Sequence, residues 1–464
     1  MAGVDQNISS AQNEATAPAP NEANSSAQNE ATAPVPTDNP IPGRRLRVLA
    51  CTFALSPVRG SEAAIGWQLV ARLAKYHDVT ALCTPGVTGR DRDEIEGYTR
   101  THGPVSGLTV HYVEPTPVAR FFESNSSSLL RSMFVLGNRS WHKAAYREAL
   151  RLHAEKPFDV AHMITITGYR EPGFFWKLPI PFFWGPVAGA SDVPWRYLSM
   201  MGWRDRLAYG ARNVANWLQM RFSLRPLRAA KKASAIWAVA PDNTGMITDI
   251  WGYPSEHIYE CAAVPRPGQP SKHFTPGETL RLVASSYCVG RKALPIALRA
   301  LAKVKGQFPV ELTIMGDGPE KSRWMELSDQ LGLGTSVRWM GNLPHKDAMA
   351  EMERGHVFVF PSLKEGTSSV VPESLSLGLP VITHDMCGMS LMINDACGIK
   401  VAPLGPEQSA EGFAAAIRRM ATEPGLIDRL SIGALRRAEE CTWEHNARMF
   451  AAAYERAVTV GARR

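Results

Sequence analysis

The sequence predicts an α/β fold of two doubly wound domains that face one another across a cleft. Short apolar runs alternate with amphipathic segments on both sides of a proline- and glycine-rich stretch at residues 264–277, the expected linker. Strands that alternate with helices are joined by right-handed crossovers, and such crossovers produce buried parallel sheets. Ligands bind outside the carboxyl ends of these strands, so the cleft is the expected active site.

The composition excludes several classes of protein. The 464 residues include 51 Lys and Arg against 44 Asp and Glu, and 45% are hydrophobic, which is ordinary for a globular chain and excludes full disorder. No uncharged apolar run reaches the roughly 18 residues of a membrane-spanning helix. Seven scattered cysteines without a C-x-x-C pair argue against a disulfide scaffold or a zinc knuckle and favour a reducing cytoplasm.

The predicted organisation has four parts. Residues 1–43 contain the decapeptide SSAQNEATAP twice and almost no large apolar side chains, so we expect a disordered tail, either dispensable or used for binding. This segment also lacks the basic start and the apolar core of a secretory signal. We place an N-terminal domain at residues 44–265, a C-terminal domain at 266–440, and a final helix at 441–464 that packs back towards the N-terminal domain.

The most informative segment is residues 358–382. An apolar strand is followed by a loop that holds Glu365, and Pro372 marks the first turn of a helix because proline lacks an N–H group. Glu373 therefore lies near the helix start, with Ser369 as the expected N-cap. The bend between strand and helix lets both carboxylates line one pocket around the helix N-terminus. The simpler alternative is that Glu373 only complements the helix dipole and Glu365 is solvated.

These residues resemble the E-x7-E signature of retaining glycosyltransferase family 4, which has the GT-B fold of two Rossmann-like domains. The similarity extends over residues 46–457 and includes motifs of a bacterial polysaccharide-building branch of the family. Four further motifs occur in the family's order, and they are Gly60-Ser-Glu-x-x-x-Gly66-Trp67, Tyr169-Arg-Glu-Pro-Gly173 followed by Trp184-Gly-Pro186, Gly316-Asp-Gly-Pro-Glu320, and Val337-Arg-Trp-Met-Gly341. Together they are far more specific than a lone E-x7-E.

The resemblance implies a donor-binding site on the second domain. Glu373 would hydrogen-bond the ribose of a nucleotide, and Glu365 would hold donor-sugar hydroxyls beside the anomeric carbon. Gly366, Thr367 and Ser368 would place backbone N–H groups near the sugar and the diphosphate, where the family more often has Gly-Phe-Gly. We expect this difference from Gly-Phe-Gly to affect which sugar is bound more than it affects the transfer reaction.

The expected diphosphate clamp departs further from the family. The family pattern is an Arg followed five residues later by a Lys, and here Tyr287 occupies the Arg position while Lys292 occupies the Lys position. Lys292 is then the ammonium that neutralises the leaving diphosphate as the glycosidic bond breaks. Arg291 either adds to this charge or is a solvated neighbour.

The resemblance also points to two residues of the first domain. His162 falls where the family keeps a histidine that contacts the donor sugar, whereas its position after an apolar strand is typical of a core histidine with its hydrogen bonds met. Gly60 lies in the first strand-to-helix loop, where the family lets substrate approach the backbone, and the alternative is that it serves only a tight turn.

No metal or other cofactor is expected. The sequence shows no cluster of metal-ligating residues and no D-x-D pair. The resemblance implies metal-independent transfer with retention of anomeric configuration, in which Lys292 and a helix N-terminus replace the cation.

A basic and aromatic stretch occupies residues 203–232. It holds eight Lys and Arg against one acidic residue, with tryptophans and phenylalanine between them. Such a helix is typical of a membrane-surface element, although an aromatic core face with solvated arginines fits the pattern equally well. No nucleic-acid-binding motif accompanies the charge, so nucleic acid is not an expected partner.

The expected function is that of a cytoplasmic, inner-leaflet-associated hexosyltransferase. It would move a sugar from a nucleotide diphosphate sugar to a hydroxyl of a lipid-linked exopolysaccharide or lipopolysaccharide intermediate. Two alternatives stay open, namely another GT-B enzyme such as a nucleotide-sugar epimerase, and a non-catalytic, membrane-associated partner subunit that keeps the fold.

Overall fold

A computed structural model describes residues 44–86, 89–124 and 134–461, and the tail at residues 1–43 lies outside the described residues. The first half of the chain forms a parallel sheet of seven strands in the order β3-β2-β1-β4-β5-β6-β7. These strands are β1 (Arg47–Thr52), β2 (Asp78–Cys83), β3 (Leu108–Tyr112), β4 (Val160–Thr165), β5 (Phe182–Val187), β6 (Ala233–Ala238) and β7 (Glu256–His257).

The second half forms a parallel sheet of six strands in the order β10-β9-β8-β11-β12-β13. These strands are β8 (Leu280–Ser285), β9 (Val310–Met315), β10 (Val337–Gly341), β11 (Val357–Phe360), β12 (Val381–His384) and β13 (Gly398–Val401). In both halves the strand order reverses direction next to the first strand of the sheet, which is the doubly wound topology. The predicted GT-B arrangement of two Rossmann-like domains is confirmed.

Helices cover both faces of each sheet. In β1, Val48 and Ala50 pack into one buried cluster while Leu49 and Cys51 pack into another, because successive side chains of a strand point to opposite faces. Because crossover helices bury both faces of the sheet, the strands appear in the sequence as continuous apolar runs.

The helices connect the strands and close the chain. In the first half they are α1 (Ser61–Leu73), α2 (Arg90–His102), α3 (Pro117–Ser124), α4 (Phe134–Glu155), α5 (Trp203–Phe222), α6 (Leu224–Lys232) and α7 (Pro241–Gly245), the last continued by a π-helical turn at Met246–Ile250. In the second half they are α8 (Leu294–Val304), α9 (Lys321–Gln330), α10 (His345–Glu353), α11 (Val370–Ser376), α12 (Met389–Met392), α13 (Pro406–Thr422), α14 (Leu426–Glu440) and α15 (Trp443–Gly461). No helix within these described ranges is both long and apolar enough to cross a membrane.

Two segments pack on the half of the molecule to which they do not belong in sequence. The last helix, α15, lies against α1, and its Phe450 and Tyr454 are part of the buried cluster on one face of the first sheet. In the other direction, Val193 and Tyr197, which precede α5, are buried in the core of the second half. These exchanged segments hold the two sheets on either side of one cleft.

Candidate active site

A cavity of about 340 Å³ lies between the two sheets, at the carboxyl ends of strands from the second one. Its walls come from both halves, because Glu62 and Thr167 follow β1 and β4 while Ser286 and Gly316 follow β8 and β9. The sequence-predicted residues that line it are Arg291, Lys292, Glu365, Thr367, Ser368 and Glu373. The structure therefore brings six of the nine predicted site residues to one cavity wall.

Glu365 lies in the loop after β11 and is the most strongly compensated carboxylate of the cavity. One of its oxygens, Oε1, is 2.7 Å from Lys292 Nζ and 2.6 Å from Arg291 Nη1, and it accepts a 2.8 Å hydrogen bond from the Ser362 hydroxyl. Burial alone would raise the pKa of Glu365, but the charges of Lys292 and Arg291 outweigh it and lower the pKa to about 2. Glu365 is thus a fixed negative charge across the physiological pH range.

Lys292 ends a short 3₁₀ turn, Gly290–Lys292, that precedes α8. Its side chain is 8% exposed, and its ammonium lies 5.0 Å from the centre of the Phe360 ring. Burial lowers the pKa of Lys292, and the neighbouring Glu365 carboxylate opposes this shift by stabilising the charged form. A buried cation at the edge of a cavity is suited to meet an anionic ligand group.

Glu373 lies in the first turn of α11, four residues after the Ser369 N-cap position. It is 8% exposed, and one of its oxygens is 3.7 Å from His345 Nε2. The strand, loop and helix that connect Glu365 to Glu373 turn both side chains into the same cavity. The two carboxylates therefore belong to one site.

Tyr287 and Arg291 together show how the departure from the family's clamp is accommodated. Tyr287 lines the cavity in place of the arginine. Arg291 also reaches the cavity wall, where it donates a 2.9 Å hydrogen bond to the Lys364 carbonyl in addition to its ion pair with Glu365. Arg291 is therefore not a solvated neighbour but a second cation beside Lys292.

The loop residues Gly366, Thr367 and Ser368 follow Glu365 directly. The Thr367 N–H group donates a 3.3 Å hydrogen bond to Glu260 Oε2. A Cβ at position 366 would meet the same Glu260 carboxylate, so a larger residue there would have to displace that side chain. The Thr367 N–H group is therefore bound to a carboxyl of the cavity wall.

Two cavity carboxyls, Glu62 and Glu260, were not predicted as site residues. Glu62 lies in the first turn of α1, within the Gly60-Ser-Glu motif. That motif is the sequence feature that could have marked Glu62 as a site residue. Glu260 comes from the segment that leaves β7, and no sequence pattern marks it. Both carboxyls lie within hydrogen-bond distance of the Thr167 hydroxyl.

Three predicted site residues do not line the cavity, and they are His162, Gly60 and Gly366. His162 is fully buried, with Nδ1 bonded to the Tyr454 hydroxyl and Nε2 2.8 Å from the Gly185 carbonyl oxygen. Burial lowers the pKa of His162 to about 3, so it is neutral. Its position is that of a core histidine with its hydrogen bonds met, because His162 is the third residue of β4 and packs against Phe450 and Tyr454 of α15. Gly60 is the N-cap of α1 and has an extended backbone.

The described part of the chain contains no group of three or more His, Cys, Asp or Glu side chains placed to hold a metal ion. The positive charge of the cavity comes from Lys292 and Arg291.

Comparison with known proteins identifies the second domain. Residues 279–423, which include Lys292 and both E-x7-E carboxylates, match the family described as Glycosyl transferases group 1. The lipopolysaccharide core biosynthesis glycosyltransferase LpsD of Rhizobium meliloti (strain 1021) is 31% identical over 159 residues, which cover 34% of this chain and 44% of that protein. The chain spans less than half the length of the curated relatives it matches first.

Solved structures share the whole architecture. Sucrose-phosphate synthase (tll1590) from Thermosynechococcus elongatus superposes with a TM-score of 0.60 at 15% identity, covering 90% of this chain and 100% of that one. The Anabaena protein Alr3699/HepE, solved with UDP and glucose, gives a TM-score of 0.52 at 15% identity, covering 88% of this chain and 98% of that one. Likeness at this level of identity shows a common fold. Residues 279–423 are therefore a group 1 glycosyltransferase domain, in a chain that has the GT-B fold.

Proposed function

We propose that the protein is a retaining hexosyltransferase that uses a nucleotide diphosphate sugar. It transfers the sugar to a hydroxyl of a lipid-linked exopolysaccharide or lipopolysaccharide intermediate. The observation that carries this proposal is the convergence of Lys292, Glu365 and Glu373 on one cavity between the two domains. A cation beside two carboxylates provides one partner for a diphosphate and two for neutral hydroxyls.

The proposed roles follow from the charges and their positions. Lys292, supported by Arg291, stabilises the negative charge that grows on the diphosphate as the glycosidic bond breaks. Glu365 accepts hydrogen bonds from donor-sugar hydroxyls, and Glu373 accepts them from the ribose. The backbone N–H groups of Thr367 and Ser368 complete the contacts to the sugar and the diphosphate.

Arg291 gives the proposed site a property that a single lysine would lack. Both cations contact the same oxygen of Glu365. When Lys292 shares its charge with a diphosphate, Arg291 keeps Glu365 charge-compensated, so Glu365 is not left as an unpaired buried carboxylate. We propose that these two cations carry the charge stabilisation without a metal ion.

The comparisons support the proposed chemical class of the donor, a nucleotide sugar, and that of the acceptor, a saccharide. A structural neighbour was solved with UDP and glucose, and the relative LpsD is described by lipopolysaccharide core biosynthesis. The proposed nucleotide-sugar donor and saccharide acceptor for this chain are of the same chemical kinds.

An exposed apolar and basic surface on α5 supports a place at the inner leaflet of the membrane. Trp203 and Phe222 are each 68% exposed and Trp217 is 49% exposed. The Arg204 guanidinium lies 5.3 Å from the Trp203 ring and the Arg221 guanidinium 4.6 Å from the Trp217 ring. Exposed aromatic side chains with adjacent cations fit the boundary of an anionic lipid surface. We propose that the protein is cytoplasmic and binds this surface peripherally.

The proposed function is tested by incubating the purified chain with a defined panel of donors and acceptors. The donors are UDP-glucose, UDP-galactose, UDP-N-acetylglucosamine, GDP-mannose and ADP-glucose, and the acceptors are alkyl glycosides and extracted bacterial membrane lipids. Acceptor-dependent sugar transfer with retained anomeric configuration is the expected result. Donor conversion without any acceptor would instead indicate an epimerase. Donor binding without transfer, unchanged in Glu365→Ala, would indicate a partner subunit.

A further inference from the structure

Three cations lie beside the cavity without a carboxylate partner. Arg170 follows the end of β4, Arg212 is in the middle of α5, and Lys364 immediately precedes Glu365. Within the described residues, none of the three forms an ion pair, and none lines the cavity that contains Lys292. They are therefore a second group of positive charges, outside the proposed donor site.

The charges of these residues act on one another. Burial, together with the charges of Arg212 and Arg170, lowers the pKa of Lys364 to about 8. Burial also lowers the pKa of Arg170, and Arg212 adds to that shift. Asp192 and Asp242 are acidic groups of the same region, and among the described residues neither is in ion-pair contact with these cations. The group therefore keeps a positive charge that no described carboxylate neutralises by direct contact.

Arg170 is held in place by neutral groups. Its guanidinium donates to the side-chain oxygens of Gln219 and Asn216, and it lies 4.5 Å from the centre of the Tyr169 ring. Asn216 is fully buried, and its amide group donates a 2.8 Å hydrogen bond to Asp192. Because these contacts order the guanidinium without compensating its charge, an anion that binds it does not have to order it first.

The Lys364 ammonium is the least satisfied of the three cations. Its Nζ is buried, and it has no hydrogen-bond partner in the part of the chain that the structure describes. The backbone of Lys364 is fixed, since its carbonyl accepts a 2.9 Å hydrogen bond from Arg291. A buried ammonium without a partner costs free energy, so an anion that reaches it would remove that cost. The residue as a whole is only half-buried, and its flexible stem lets the ammonium turn to a ligand at the surface.

The position of the three cations relates them to the acceptor. Lys364 adjoins Glu365, and Arg170 is three residues after Thr167, and both Glu365 and Thr167 line the cavity. Arg212 belongs to α5, the helix with the exposed aromatic and basic surface. An anionic group bound here would therefore lie beside the reacting sugar on one side and the proposed membrane surface on the other.

We propose that Arg170, Arg212 and Lys364 bind a phosphate group carried by the acceptor. This inference rests on the proposed function and adds a property of its acceptor. A guanidinium donates two parallel hydrogen bonds to a phosphate, and a lysine adds a compact positive charge. A phosphate monoester has three acceptor oxygens and nearly two negative charges, so it matches three cations better than a carboxylate does. The phosphate belongs either to the acceptor saccharide or to its link with a lipid, and the test separates these sources.

The binding test uses soluble probes and needs no transfer reaction. The probes are glucose 6-phosphate and octyl phosphate, with glucose, octyl glucoside and glucuronate for comparison. Calorimetric titrations use Lys292→Gln protein, in which the proposed diphosphate contact of the donor site is removed. We expect the phosphate probes to bind, and the addition of Lys364→Gln or Arg212→Gln to weaken that binding at least about fivefold. Arg436→Gln, which changes an exposed arginine on α14, is the control and should leave the affinities unchanged.

The ranking of the probes identifies the source of the phosphate. Tighter binding of glucose 6-phosphate assigns it to the saccharide, tighter binding of octyl phosphate assigns it to the lipid link, and either result supports the proposal. Glucuronate bound as tightly as the phosphate probes overturns it. Equal affinities in Lys364→Gln, Arg212→Gln and the parent protein also overturn it.

The kinetic arm uses the wild-type background and whichever donor of the panel above supports transfer. We expect Lys364→Gln to raise the KM of acceptors in the extracted membrane lipids at least about tenfold, with kcat and the KM of an alkyl glycoside within about twofold of the wild type. An alkyl glycoside has no phosphate, so an equal rise in KM for both acceptors overturns the proposal.

Two further outcomes have a definite meaning. A loss of activity with both acceptors that accompanies a lower melting temperature assigns Lys364 a structural role and overturns the proposal. If the wild type transfers no sugar with any donor, the proposed function fails, while the calorimetric titrations still decide whether these three cations bind a phosphate.

Discussion

Lys292 and Glu365 form a buried ion pair on the wall of the cavity, with Nζ 2.7 Å from Oε1. Each partner is held in place by the other before any substrate arrives, so neither side chain has to be ordered during binding. Such pre-organised charges act on a developing negative charge without reorganising. The ion pair therefore gives the second domain a cation that is already in place for the proposed reaction.

Glu373→Ala is expected to weaken donor binding more than it slows transfer. The carboxylate is proposed to contact the ribose, which does not react, so its loss removes binding that is equal in the ground state and the transition state. We expect the donor Kd to rise about tenfold or more, with kcat within about threefold of the wild type. Calorimetric titration of donor and initial rates at saturating donor measure the two effects.

Glu326→Ala is the matched control for this prediction, since Glu326 is an exposed glutamate on α9 outside the cavity. It should leave both constants unchanged. If Glu373→Ala slows kcat severely while the Kd stays constant, Glu373 acts on the reacting centre and its proposed role is wrong.

His162→Gln is expected to change the pH dependence of stability. The pKa of His162 is about 3 in the folded protein, against an ordinary value of 6.5, so its stabilising contribution is complete above pH 6.5. As the pH falls towards 3 the unfolded state takes up a proton that the folded state excludes, and the contribution is lost at about 1.4 kcal/mol per pH unit. Urea unfolding of wild type and variant from pH 7 to pH 4 should show a smaller decline in the variant.

The same variant distinguishes the two interpretations of His162. In the structure it contacts Tyr454 and the Gly185 carbonyl and does not reach the cavity. We expect a lower melting temperature with a donor Kd close to that of the wild type. A large rise in donor Kd without loss of stability would instead support the sugar contact that the family resemblance implies.

Reversing exposed charges on α5 and α6 is expected to weaken membrane binding. Arg204, Arg221 and Arg228 are exposed, and their change to Glu should lower recovery in flotation with anionic vesicles at least about threefold. Arg225 is left unchanged because it is bound to Glu171 at 2.6 Å, so its reversal would disrupt the fold.

The control for flotation reverses three exposed arginines of the second domain, Arg418, Arg429 and Arg436. These variants have the same net charge as the α5 and α6 set. Equal recovery in the two sets, or no recovery of the wild type on anionic vesicles, would show that this surface does not bind membranes.

The parts of the site that are local in sequence were predictable. Glu365 and Glu373 lie eight residues apart across a strand end, a loop and a helix start, and Pro372 fixes where that helix begins. Alternating apolar runs likewise predicted the two sheets, because parallel strands buried on both faces must be apolar throughout.

The parts that depend on distant packing were not predictable from local pattern. His162 is enclosed by Tyr454 of the last helix, a contact between residues far apart in the chain. Glu260 reaches the cavity because the segment after β7 crosses between the domains, and no periodicity marks that crossing. The basic stretch at residues 203–232 has both exposed and packed aromatic side chains. Trp203 is exposed, while Tyr209 of the same helix packs against the core of the second domain.

The central claim is that Glu365, held by Lys292 and Arg291, acts on the reacting sugar. Its most direct test is the rate of sugar transfer by Glu365→Gln at saturating donor, beside Glu326→Gln as the control. Glutamine keeps the size of the side chain but removes the charge that strengthens its hydrogen bonds to hydroxyls. We predict at least a tenfold lower rate in Glu365→Gln and a wild-type rate in the control. A rate within twofold of the wild type in Glu365→Gln, in a folded protein that binds donor, would contradict the claim.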